Sequence, residues 1–273
     1  MKKKSTLIAL FLVIFYSCNT DDDSDTINNT DWDLEEASGL FLEFNNSFGF
    51  LNEGGTDFKY IYENGKVVKK RGGVTNYENF LMFSDEIYDY VTYTNNQIIV
   101  KTKRQEIKEE QETEYNTTIN VYTLENNKIV KSINSSYKKD TIKYYYTGDL
   151  LTKQIFVNNS AGIRQQSNFY YNAKGNLDSI VNRNGNLNQS THKFDPININ
   201  SRERFVEIFD KYDNYANPTK KLGVFPELFK RSLSKNNFGR YQIKVYLSTP
   251  EKYTTSYIEF PMKYENERIS FKF

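Results

Sequence analysis

The chain predicts an all-β fold: successive antiparallel hairpins forming one curled or partly closed repeat sheet, with a short helix near residues 226–233. Three observations carry that expectation. Aromatic and aliphatic residues alternate with polar ones over short segments, tight-turn residues separate those segments, and the same strand-turn-strand phrase returns along most of the sequence. Its clearest copy is IKYYYTGDLLTKQIFV, Ile142–Val157. Side chains of an extended strand point alternately to opposite faces, so Ile142, Tyr144 and Tyr146 share one side while Lys143 and Tyr145 take the other. Gly148 tolerates the positive φ that a hairpin turn needs. Leu151, Lys153, Ile155 and Val157 are expected on one face of the return strand. FYYNAKGNLDSIV, Phe169–Val181, repeats the phrase with Gly175 in the turn.

Met1–Ser17 has a basic start, an apolar run from Leu7 to Tyr16 and a small residue before Cys18, the layout of a secretory signal. The run is shorter than the ~20 apolar residues that span a bilayer. Cys18 is the only cysteine, which excludes an intramolecular disulfide. Residues 18–33 form an acidic tether, with too little apolar surface to fold by itself. Residues 34–273 are expected to form the β-repeat domain. In its first part a short helix from Asp33 to Ser38, capped by Asp33, is expected, followed by a strand through Leu40, Leu42 and Phe44.

Residues 58–184 carry the repeat hairpins. FKYIYENGKVVKK turns at Asn64-Gly65, the strongest short-range hairpin signal. YVTYTNNQIIV turns at Asn95-Asn96 and INVYTLENNKIV at Asn126-Asn127, Asn being the next best residue to Gly at positive φ. Tyr62, Tyr93, Tyr122, Tyr146 and Tyr171 align at intervals of about 24–31 residues, short enough for one supersecondary unit. The charged run KRQEIKEEQET interrupts the pattern as a solvated tip. Residues 202–273 are a closing segment. They hold a strand near Arg204–Tyr212, a break at Asn217-Pro218, a helical PELFKRSL from Pro226 and a last copy of the phrase, Phe260–Phe273.

Composition narrows the functional classes. The chain has 22 Tyr and 20 Phe among 273 residues, yet its mean hydropathy is −0.72, which suits strands with one dry and one wet face. The formal net charge is +1, and removing Lys2, Lys3 and Lys4 with the leader makes the balance slightly acidic, so nothing draws the chain to nucleic acid. One histidine, His192, excludes a multi-histidine metal site. No catalytic residue, metal site or cofactor is expected, and the chain is not read as an enzyme. A carboxylate-dependent hydrolase such as a glycosidase is the alternative. It needs two converging acids, and no spacing singles out a pair; Asp149, Asp178, Asp213 and Glu203 read as turn and edge residues. The candidate ligand-stacking side chains are Tyr144, Tyr146, Tyr170 and Tyr171, whose rings can meet sugars or a protein if they line an exposed sheet face; packing in the core or across strands is the competing reading for each, and the favoured one.

The leader resembles a bacterial lipoprotein signal, which implies lipidation at Cys18 and an N-terminal lipid as the contact with the membrane. Asp21, Asp22, Asp23 and Asp25, directly behind that cysteine, resemble the export signal of Bacteroidota surface lipoproteins. Asp25-Thr26-Ile27 is similar to an O-glycosylation acceptor of that phylum, with Thr26 the candidate residue. The hairpins resemble tyrosine-rich YD-type repeats. With Tyr212 and Asp213, Asn217 and Pro218, and Ser234, Asn236 and Asn237, the stretch from Phe58 to Phe273 resembles a Bacteroidota lipoprotein family of unknown function. That resemblance implies a lipid-anchored outer-membrane protein and transfers no catalytic residue; the acidic run implies the cell surface, and the tyrosine rings suggest a glycan or an envelope protein as ligand.

Overall fold

The structure, a computed structural model, describes residues 33–38, 57–77, 80–104, 117–135, 140–158, 163–186, 205–246, 253–259, 262–265 and 268–271. Their strands are β1 (Glu36–Ser38), β2 (Asp57–Glu63), β3 (Lys66–Tyr77), β4 (Phe80–Tyr93), β5 (Gln97–Lys103), β6 (Thr117–Glu125), β7 (Lys128–Asn134), β8 (Asp140–Thr147), β9 (Leu150–Asn158), β10 (Ile163–Tyr171), β11 (Leu177–Asn186), β12 (Phe205–Tyr212), β13 (Phe238–Tyr246), β14 (Tyr253–Glu259), β15 (Met262–Glu265) and β16 (Arg268–Phe271). A 3-10 helix (Pro218–Leu222) and one α-helix, α1 (Pro226–Ser232), lie between β12 and β13. The expected all-β sheet and its short helix are present.

All sixteen strands join one sheet in the order β14-β13 and so on down to β2-β1, then β16-β15. Every neighbouring pair is antiparallel except β1 with β16. The edge strands β14 and β15 are not hydrogen-bonded to each other, yet Glu259 and Met262 are only three residues apart in sequence. The chain between them spans at most about 11 Å. The sheet therefore curls until its two edges meet at that point.

The turns obey local chemistry. Asn64 and Gly65 have φ of 51° and 71°, and Asn126 and Asn127 have 50° and 60°, the doubly left-handed turn that matches strand twist. Gly148, at 56°, stands first in its two-residue turn. Asn95 and Asn96 are not left-handed: there the Thr94 hydroxyl accepts the Gln97 amide at 3.0 Å and closes the turn.

Just past three of these turns, and past the turn at Gly175, the register slips by one residue, leaving Val68, Val130, Thr152 and Asp178 as extra residues on the return strands. A bulge of this kind inverts the alternation. Leu151 is therefore buried inside, while Lys153, Ile155 and Val157 point outward, a correction to the single face expected for all four.

The expected helix at Asp33–Ser38 does not form: Glu36–Ser38 are the strand β1, and residues 33–35 lead into it without helical structure. Leu34 and Ala37, both fully buried, have the spacing of a helical face. Sheet bonding overrides it: the Glu35 carbonyl accepts the Tyr60 amide at 2.9 Å and Asp33 pairs with Lys221 at 2.8 Å. The strand read through Leu40–Phe44, the charged run beyond Arg104 and His192 lie outside the described residues.

A ladder of tyrosines staples successive hairpins. Tyr62, Tyr93, Tyr146 and Tyr171 donate their phenols to the carbonyls of Leu34 (3.0 Å), Val67 (3.0 Å), Ile129 (2.9 Å) and Leu151 (3.1 Å), and Tyr212 donates to that of Leu177. Tyr122, aligned with them by sequence, is not a rung. Leu124 holds that place two residues before the turn, and Tyr122 lies deeper on the same face with its phenol on the Val224 carbonyl at 2.8 Å. Because Tyr212 is a rung, β12 and β13 form the next hairpin of the series, its turn expanded into residues 213–237.

Burial raises the pKa of each rung above the ordinary phenol value, that of Tyr146 to about 12. Above pH 10 the folded state then holds more protons than the unfolded one. The ladder's contribution is complete below pH 10 and is lost as pH rises through the folded values. Ultraviolet titration is expected to show a late phenolate class that ionises together with unfolding. Tyr171→Phe is expected to cost about 1 kcal/mol in urea unfolding, and an unchanged midpoint would refute the staple.

Candidate functional site

Residues 213–237 fold back into the curl as a plug, and their polar side chains fasten it. Pro218 holds Asn217 extended, as expected of a residue before proline. The Asn217 side chain accepts from the Thr219 amide (2.9 Å) and hydroxyl (2.7 Å) and donates to the carbonyls of Arg231 (2.7 Å) and Ser234 (2.9 Å). Ser234 accepts the Leu177 amide at 3.0 Å, and Asn236 exchanges hydrogen bonds with Asn176. Asp213 receives the Asn237 and Tyr215 amides and the Tyr264 phenol, tying the plug to edge strand β15. It is a half-buried hub at the turn that follows β12. Burial lifts its pKa, with those donors opposing. The residues of the family-like motif thus hold the plug in place.

The plug's apolar face packs on the inner wall. Phe225, fully buried, meets the Tyr60 ring at 5.8 Å, and Phe229 meets Tyr144 at 6.2 Å and Phe169 at 6.4 Å. Arg231, also fully buried, donates to the Phe238 carbonyl at 2.8 Å and lies 4.0 Å over that ring. Burial draws its pKa down to about 9, with Tyr264, Asp213 and Tyr212 opposing. Lys70, inward on β3, bridges Asp89 (2.8 Å) and Glu227 of α1 beneath the Phe225 ring. Burial alone would lower the pKa of that ammonium, but the two carboxylates outweigh it and hold it above the ordinary value.

Beside the plug, on the side of the β6–β12 wall, lies a cavity of about 630 Å³. Its floor is apolar, with Val224, Pro226 and Phe229. Its wall is not. Tyr144, Gln154, Ser167, Asn182 and Phe205 stand in register on β8 to β12, so hydroxyl and amide alternate with an aromatic ring at each end. Asn134 donates to Asn120 at 2.7 Å nearer the rim. Asn182 receives Gln165 (3.1 Å) and Ser167 (2.6 Å) and donates to Glu207 at 2.9 Å. The other Glu207 oxygen accepts from Lys230 of α1 (2.6 Å) and the Tyr241 phenol (2.8 Å).

Of the stacking candidates, only Tyr170 is on the outer face, 52 % exposed. Tyr144 is buried, lines the cavity and shares a hydrogen bond with Ser132 at 3.1 Å, while Tyr146 and Tyr171 are ladder rungs. The candidate row of four exposed rings does not form; packing, the favoured reading, holds for three of them, because the strand period sends Tyr144 and Tyr146 inward and the partners of their hydroxyls are there. Asp149 and Asp178 are exposed, Asp149 pairing with Lys128 at 2.8 Å. Cys18, Asp21, Asp22, Asp23, Asp25, Thr26 and Glu203 lie outside the described residues. Nothing in the sequence pattern singles out Lys70 or Lys230, and Gln154, Asn182 and Glu207 emerge as site residues only in the structure. For the strand residues the signal existed: Asn182 shares the parity of Ile180, and Gln154 pairs with Tyr144.

The outer face differs from the lumen. Lys69, Lys101, Lys131, Lys143, Lys153 and Lys244 lie on it, in register with one another or with other outward residues. Each lysine raises the cost of setting such a wall in a bilayer, by ~2–4 kcal/mol at the midplane and by less near the interfaces.

The fold and its cavity together define a plugged, curled β-sheet with a mixed polar and aromatic lumen. No known family profile and no curated protein matches the chain. Among solved structures it is similar to a porin-like protein from Bacteroides uniformis, with 10% identity over 74% of this chain and 88% of that one and a TM-score of 0.42. It is likewise similar to a porin-like protein from Bacteroides vulgatus, with 11% identity over 80% and 86% of the two chains and a TM-score of 0.45.

Proposed function

We propose that this chain is a lipid-anchored binding module of the outer membrane, tethered through Cys18, displayed at the cell surface, and holding its ligand in the luminal cavity. The observation that carries the binding role is the cavity itself: about 630 Å³, within the range of small-ligand sites, with an apolar floor and a few convergent polar groups. A glycan and an envelope protein are the two ligand classes that fit a surface location. The lysines of the outer face support a domain held in water by a lipid and a leash, and the single cysteine behind an apolar leader supplies the place for that lipid.

A hydrolase reading has less support. The cavity's carboxylates are Asp140 on β8 and Glu207 on β12, and both oxygens of Glu207 are occupied by Asn182, Lys230 and Tyr241. Cys18→Ala is expected to abolish metabolic lipid labelling and release the protein from membranes; retained membrane association would refute the anchor. Protease added to intact cells is expected to digest the wild type and spare a variant with Asp21, Asp22 and Asp23 replaced by Ala. Protection of both would refute surface display.

A further inference from the structure

We infer that the luminal cavity is a site for a neutral oligosaccharide, read by the row Tyr144, Gln154, Ser167, Asn182 and Phe205; this rests on the binding-module reading and names its ligand class. The row crosses five neighbouring strands in register. Its hydrogen-bonding positions therefore repeat at the strand spacing of about 4.8 Å. A ligand that uses such a row must present donors and acceptors at a regular repeat along its length, and a chain of sugars does so through its ring hydroxyls. Amides suit that partner because each offers two donors and an acceptor in one plane.

The charge of the site points the same way. Glu207 is met by the Lys230 ammonium at 2.6 Å, so this pair presents no net charge to a ligand. An anionic ligand would face Asp140 with Lys230 already engaged, and a cationic one would compete with Lys230 for Glu207. A fully apolar ligand would strip water from Gln154, Gln165 and Asn120 without replacing its hydrogen bonds, at a cost for each group. A sugar ring has polar edges and an apolar face. The edges meet the amides of the wall, and the face meets Phe229, the floor ring that keeps part of its surface exposed to the same space.

Gln154 is the discriminating residue. It lines the cavity between Tyr144 and Ser167, is half-buried, and its amide makes no hydrogen bond to another described residue. Its donors and acceptor are therefore free for a ligand, whereas Asn182 is committed to Glu207, Ser167 and Gln165.

The test is calorimetric titration of the full mature chain, made as Cys18→Ala, with cellotriose, maltotriose, mannotriose and chitotriose. Trigalacturonate and decanoate serve as the charged and apolar probes. Saturable binding of at least one neutral trisaccharide, weakened at least tenfold by Gln154→Leu at an unchanged melting temperature, is the expected result. Binding that Gln154→Leu leaves intact overturns the site. Preference for trigalacturonate or decanoate, or no binding of any neutral trisaccharide, overturns the ligand class. Capture of an envelope protein whose binding Gln154→Leu abolishes also overturns it, while leaving the binding-module reading standing. Lipid labelling and protease accessibility are independent of every one of these outcomes.

Discussion

Replacing Lys70 with methionine is expected to destabilise the domain by about 3–5 kcal/mol, because the substitution leaves Asp89 and Glu227 buried with no cation between them. Both acids are shielded from water, with side chains 8 % and 11 % exposed, so solvent cannot take over the role of the ammonium. The Thr102 hydroxyl bonds Asp89 at 2.5 Å but carries no charge. Replacing all three groups together, as Lys70→Met with Asp89→Leu and Glu227→Leu, is expected to recover most of the loss, since an apolar trio needs no partner. Urea unfolding of the wild type, single variant and triple variant checks this. A single variant within about 1 kcal/mol of the wild type would show that the cluster is wet and that the plug is not held by it.

Asn217→Ala is expected to cost about 3 kcal/mol, because one side chain satisfies four buried partners and its loss strands them together. Asn217→Asp keeps the acceptor but sets a buried carboxylate against the carbonyls of Arg231 and Ser234, so it should cost at least as much as alanine. The damage should be local. Hydrogen exchange is expected to rise first in residues 213–237 while the amides of β8 to β11 stay protected, since the ladder of tyrosines on those strands does not pass through Asn217. Uniform loss of protection would instead mean that plug and sheet fold as one cooperative unit.

The tyrosine rungs show how far periodicity reaches. Tyr62, Tyr93, Tyr146 and Tyr171 align by sequence because each stands at the same distance from a turn, and the structure gives all four the same hydrogen bond. Tyr122 aligns by residue type but not by that distance, and its phenol goes to the plug. A period of two places Leu151 and Lys153 on one face, and a bulge at Thr152 breaks it. A bulge follows from the twist of the turn beside it and leaves little mark in composition.

Sequence by itself determined the strand-forming segments, most of the hairpin turns, the helix from Pro226 and the residues of the plug's motif. These depend on alternation, on left-handed φ at Asn and Gly, and on the backbone limits set by proline, all of which act within a few neighbours. Tertiary structure alone decided that β1 is a strand, that residues 213–237 turn inward, and that Gln154, Ser167 and Asn182 meet across three strands beside Glu207 and Lys230. Those outcomes depend on which distant surfaces share one interior. A buried polar group is stable only where a partner from elsewhere in the chain reaches it, and that partner is chosen when the sheet curls.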